Sequence, residues 1–437
     1  MVLVLITRAN FDEGEPVEPP LPDFETRIDY DVWFEAAIRG RARREDNAAE
    51  LYEEILARAG SLDAGRMEAV VGAAGAADET NSRKPWDPDD EPAEEAVCRT
   101  TLPQLEVYKQ AAQKPYFHFE SMPWRAGVEP PSTQWKLLDL MAWAGRVSRA
   151  AWRIVDDKPD PREFVALAAA NLGLARQGER VARFPDATCA SRIRRAVYYD
   201  LLAGLQHGVL SEPHRQRCLE LLRTADSELP SLRSIAYFTL AEQYAQLQAR
   251  AFGERLPLWQ KKPVTWNTTT AAQLGELIAE RDAIRAALRS TAEGPAWPIT
   301  ADDYAHTHPH GTVGEVAGAC SSVAGYGTLL LPMTRVVLSE LEALRRGTRL
   351  VFEMFAYRDQ HGSLPENLDA LTDVPAWCKV DPFGGQSLVY VRSGESFRLY
   401  SVAADCIDGG GVHAADWGRR GSGGDYVIWP LAESKPR

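Results

Sequence analysis

The residues of this chain best suited to hold a cation fall in two stretches. Asp405, Asp408 and Asp416 lie in one glycine-rich segment near the C-terminus. A hard cation such as calcium takes about six to eight oxygen ligands, and glycine lets backbone carbonyls turn inward to supply some of them. The segment lacks the Asp-x-Asp-x-Asp-Gly order of an EF-hand, because its first two carboxylates are three apart. The competing reading is a glycine-rich loop with a purely structural role. The second stretch is His306-Thr307-His308-Pro309-His310. His306, His308 and His310 would bind a transition metal if the segment folded around it, with Asp302, Asp303 or Glu315 as a fourth ligand. A solvated loop is the plainer reading of such a run.

Signatures of catalysis are sparse. Phe117-His118-Phe119-Glu120 sets an imidazole and a carboxylate two apart, but acid–base chemistry also needs a pocket and shifted pKa values, so a half-buried edge is the better reading. Cys320-Ser321-Ser322 lacks the Gly-x-Ser-x-Gly elbow of a serine nucleophile. No Gly-x-x-x-x-Gly-Lys phosphate loop occurs, which excludes a P-loop ATPase or GTPase. The formal net charge is -13, so a phosphate-backbone binder is disfavoured and nucleic acid is not an expected partner. The six cysteines include no Cys-x-x-Cys pair, which favours buried thiols over a zinc knot.

The surrounding elements read as mostly helical. Residues 1–29 form an acidic arm with Pro16, Pro19, Pro20 and Pro22. Its opening apolar run, Val2 to Ile6, is too short for a secretory or membrane-spanning segment; an anchor preceding Met1 is left open. Residues 30–134 hold helices at 30–40 and 47–59, then an acidic break at 78–95 around Trp86-Asp87-Pro88-Asp89-Asp90, read as solvated. Residues 135–292 repeat helical spacing. Ile193, Val197, Leu201, Leu202 and Leu205 mark one face, and proline-bearing breaks at 156–161, 184–186 and 210–213 suit antiparallel helical hairpins. Residues 293–332 are an irregular Gly/Pro/His-rich connector. A long helix is expected over 333–358, weakened at Gly347 and stopped at Gly362 and Pro365. Alternating side chains over 387–392 and 397–402 predict a hairpin, and 425–429 a third strand.

Four motifs in this last region carry a resemblance. They are Tyr357-Arg358-Asp359-Gln360-His361-Gly362-Ser363-Leu364-Pro365, Asp381-Pro382-Phe383-Gly384, Leu399-Tyr400-Ser401-Val402-Ala403-Ala404-Asp405 and Asp425-Tyr426-Val427-Ile428-Trp429. Their order and spacing are similar to the C-terminal part of the major pseudopilin of type II secretion systems. The resemblance covers about the last hundred residues. The chain also resembles large uncharacterised bacterial proteins with a helical body and such a C-terminal module, which share an early motif similar to Asn47-Ala48-Ala49-Glu50-Leu51-Tyr52. The resemblance implies a calcium loop with Asp405 and Asp425 as ligands, joined by Asp408 and by Ser401 or a carbonyl near Leu399. It also hints at the cell envelope, although no export signal is visible. Ala403 and Cys406 stand where that family has glycines, and Arg419-Arg420 brings positive charge into the loop. The pseudopilin's cleavage signal and apolar spanning helix are absent from the sequence, so a fibre subunit of the usual kind is not expected.

The expectation is therefore a mainly α protein: a helical hairpin body with a small C-terminal α+β module over 333–437, a long helix on a short antiparallel sheet. The expected role is a non-enzymatic interaction or scaffold protein with an unidentified protein partner and calcium as a candidate ligand. The alternative is a metal-dependent hydrolase built on the 306–310 histidines.

Overall fold

The computed structural model describes residues 18–23, 28, 30–39, 42–59, 84–118, 132–155, 157–181, 184–225, 323–414 and 424–431, with further helical residues within 237–251 and 278–286. It is mostly helical, with one three-stranded antiparallel sheet near the C-terminus. Helices α1 (Tyr30–Arg39) and α2 (Ala49–Ala59) open the described chain. Asn47 caps α2, accepting the Ala49 N–H at 3.1 Å. The same side chain clamps a distant segment: its amide donates to the His118 carbonyl at 2.7 Å and its oxygen accepts the His118 N–H at 2.8 Å. The 116–118 segment is thus a short extended edge held against the start of α2.

Helix α3 (Pro92–Thr101) begins inside the stretch read from sequence as an acidic break. Pro92 supplies a preset φ at the first helical position, and Glu94 and Glu95 sit in the first turn where the helix dipole favours them. The carboxylates before and in this turn face arginines of the next long helix, α5 (Ser132–Ala151), and its exit: Glu91 meets Arg149 at 2.6 Å and Glu95 meets Arg153 at 2.8 Å. Trp86 is buried beneath them, donating its indole N–H to the Arg149 carbonyl at 2.8 Å.

Helices α4 (Leu105–Gln113), α6 (Pro161–Val181), α7 (Phe184–Gln206) and α8 (Glu212–Ala225) also belong to the body, and a two-strand turn, β1 (Ile154–Val155) with β2 (Lys158–Pro159), joins α5 to α6. Of the residues expected at helical spacing, Ile193, Val197, Leu201 and Leu202 are buried on α7 and Leu205 is half-buried. Helix α6 packs on α7, α5 and α4. At Gly173 an added Cβ would lie 2.3 Å from the Ala112 carbonyl oxygen, so α6 meets α4 backbone to backbone. Tyr108 and Tyr52 reach into this contact and donate to Asn171 and Gln177, each at 2.7 Å. These bonds satisfy polar groups that burial would otherwise leave costly.

The long helix α9 spans Val323–His361, 39 residues. It starts well before the expected Met333 and takes in 323–332 from the predicted connector. The part of the connector it takes in includes Gly325, Gly327 and Pro332, and the helix runs through them. A mid-helix proline costs about 3 kcal/mol, a local penalty that a helix this long carries. Its end follows expectation: Gly362 has φ +73 and donates to the Arg358 carbonyl at 2.8 Å.

The sheet order is β3 (Val389–Ser393), β4 (Ser396–Ser401), β5 (Tyr426–Trp429). Its buried face lies on α9. Phe355 stands edge-on to Phe397 and Trp429, with ring centroids 6.0 and 5.5 Å apart. Gly347 lets the helix approach β5: a Cβ there would fall 2.2 Å from Ile428 Cδ1. Helix α9 also packs on α7 and α8, so one helix serves both body and sheet. No helix among the described residues is long and apolar enough to cross a membrane.

Candidate functional site

The sequence-derived site residues lie where β4 leaves the sheet and β5 enters it. Ser401 ends β4 and is fully buried. Its hydroxyl donates to Asp381 Oδ1 at 2.9 Å and accepts the Ala403 N–H at 3.0 Å. Asp381 is also fully buried; it accepts the Phe383 N–H on Oδ1 and the Val402 N–H on Oδ2, both at 2.9 Å. One carboxylate therefore ties the Asp381-Pro382-Phe383-Gly384 turn to the start of the loop. Burial pushes the Asp381 carboxyl up to about 6, against the opposing pull of these three donors and of Arg346.

Asp425, just before β5, is the second buried carboxylate. Its Oδ1 accepts the Gly409 N–H at 3.1 Å and its Oδ2 the Gly411 N–H at 2.6 Å. Backbone pairing closes the same ring: Asp425 N–H donates to Val412 O at 2.9 Å, and Ala414 N–H to Asp425 O at 3.1 Å. Gly411 has φ +75, and a Cβ on it would lie 2.7 Å from Arg398 Cδ and 3.1 Å from the Tyr400 ring. Glycine is required there both by conformation and by close approach.

Asp408 is exposed and bonds locally, accepting the Tyr400 hydroxyl at 3.0 Å and the Gly410 N–H at 2.8 Å. Burial, and then this bond to Asp408, push the Tyr400 phenol up to about 12. Asp405 accepts the Ile407 N–H at 3.0 Å. Ala403 and Cys406, on either side of Asp405 in the chain, both hold φ +58. The loop thus keeps the left-handed conformation at two non-glycine positions, at a cost of about 1–2 kcal/mol each. Ile407 and Val412, 65% and 66% exposed, stand beside the carboxylates.

Chemically, these carboxylates act on backbone N–H groups and on hydroxyls. No group of three or more His, Cys, Asp or Glu side chains among the described residues is placed to hold a metal ion. Asp416 and His306, His308 and His310, with Asp302, Asp303, Glu315 and Cys320, lie outside the described residues.

A second concentration of charge, not picked out from the sequence, lies where α9 meets the body. On α9, Glu342 receives Arg345 through two bonds at 2.6 and 2.7 Å and Arg346 at 2.6 Å. Burial alone would raise the Glu342 carboxyl, but the two guanidiniums hold it below the usual carboxylate range. Glu353 receives Arg223 of α8 at 2.7 and 3.0 Å. Trp377, on the short helix α10 (Ala376–Lys379), lies over Arg345, Arg346 and Arg349, whose guanidinium carbons are 4.7, 5.6 and 5.9 Å from its ring. The Glu-x-x-Arg-Arg spacing of 342–346, which puts all three groups on one helix face, was the available signal.

Further bonds join body and sheet. Tyr199 and Tyr426 share a hydrogen bond of 2.5 Å between their hydroxyls, and Gln206 accepts the Leu431 N–H at 2.9 Å. Arg215 pairs with Asp359 at 2.7 Å. Within the body, Arg194 and Glu179 form a fully buried two-pronged pair at 2.5 and 2.7 Å. Comparison of the chain with protein-family models, curated proteins and solved structures finds no match to any of them.

Proposed function

We propose that this is a non-enzymatic interaction or scaffold protein whose helical body and C-terminal sheet act as one platform. The observation that carries the reading is the shared helix α9, which packs on α7 and α8 and also on β4 and β5. Ion pairs and hydrogen bonds from α7 and α8 reach α9, β5 and Leu431 just beyond it. Buried charge in this region is engaged in ion pairs within α9 and between α8 and α9, as expected of a rigid frame rather than of groups poised for chemistry. Hydrogen exchange tests this directly. Amides of α7, α9 and β5 should open together at the free energy of global unfolding. Separate, lower-energy exchange of β5 would overturn the single-platform reading.

Within this proposal the glycine-rich loop is the ligand-responsive part, and calcium is its ligand. Asp405 and Asp408 supply carboxylate oxygens, while Ser401 and Asp425 shape the loop through their bonds to Asp381 and to the Gly409 and Gly411 amides. A ligand at about 100 times its Kd adds about 2.7 kcal/mol to stability. Melting of the full chain in calcium and in chelator, beside the Asp405→Ala, Asp408→Ala double variant, measures it. A calcium-dependent rise in Tm that disappears in the variant supports the ion site. Equal Tm with and without calcium removes it and leaves the platform reading standing.

A further inference from the structure

We draw no further inference here: the strongest candidate, the exposed Ile407 and Val412 side chains at the tip of the loop between β4 and β5, is a small apolar patch for which nothing in the structure shows what covers it.

Discussion

The junction of α7, α8 and α9 and the loop between β4 and β5 both bury carboxylates, but they neutralise them in opposite ways. In the junction a carboxylate meets a guanidinium: Glu342 with Arg345 and Arg346, Glu353 with Arg223, and nearby Glu179 with Arg194. In the loop a carboxylate meets peptide N–H groups: Asp381 with Phe383 and Val402, Asp425 with Gly409 and Gly411. Glu353–Arg223 and Glu179–Arg194 each tie one helix to another, while the pairs of Glu342 lie within α9. Carboxylate-to-amide bonds fold the chain on itself and give shape to the glycine-rich segment. The first device builds a frame, and the second shapes a loop.

Removing one partner tests the difference most severely in the frame. Arg194→Ala leaves Glu179 buried without its counter-ion and should cost about 3–5 kcal/mol, read as a lowered denaturant midpoint. Replacing both partners, Glu179→Leu with Arg194→Met, should recover most of that loss. A double variant as unstable as the single one would show that the pair is not the unit that matters.

The next largest effect is a pH dependence at Asp381, in the turn that anchors the start of the loop. The folded-state pKa of Asp381, about 6, lies above the ordinary 3.8. The native state therefore holds the extra proton between about pH 4 and pH 6. The contribution of this group to stability falls as pH rises through that window. The difference in unfolding free energy between wild type and Asp381→Asn, which does not titrate, should change across it by up to about 3 kcal/mol. A difference that stays constant from pH 4 to pH 7 would contradict the assigned burial cost.

Asp425→Asn preserves shape but turns an amide NH2 toward either the Gly409 or the Gly411 N–H. The unmade bond should cost roughly 2 kcal/mol and speed exchange of those two amides while α7 and α9 stay protected. Uniform loss of protection would mean that loop and frame are one cooperative unit. The smallest change expected is a gain. Cys406→Gly relieves a left-handed residue and should raise stability by less than about 1 kcal/mol, part of the relief being offset by the freer unfolded chain.

The frame's elements were legible because their signals are local. Ile193, Val197, Leu201 and Leu202 fall at helical spacing, and all are buried. Phe397 and Leu399 alternate with exposed Ser396 and Arg398, and both face the core. Gly362 stops the long helix where a left-handed cap was expected. The start of that helix at Val323 was not legible, because Pro332 and two glycines outweigh in sequence what the folded helix tolerates. The pairings were hidden for a different reason. Arg223 and Glu353, or Tyr199 and Tyr426, lie so far apart in the chain that no spacing rule connects them. In the loop the residue types were readable but the hydrogen bonds they make were not. Ser401 donates to Asp381, twenty residues earlier, a bond that no spacing rule announces.

Gly347 was read in the sequence as a weak point in the middle of α9, and in the folded chain it is the notch into which Ile428 fits. Its neighbours in the helix are Arg346 and Thr348, both buried and both far too large for that notch. Sliding the helix one residue either way, or rolling it by a fraction of a turn, would drive a side chain into β5. A bare stretch of backbone thus works as a keyway. It allows the sheet to seat on the helix in one register, and body helices that grip α9 thereby also fix where the sheet stands.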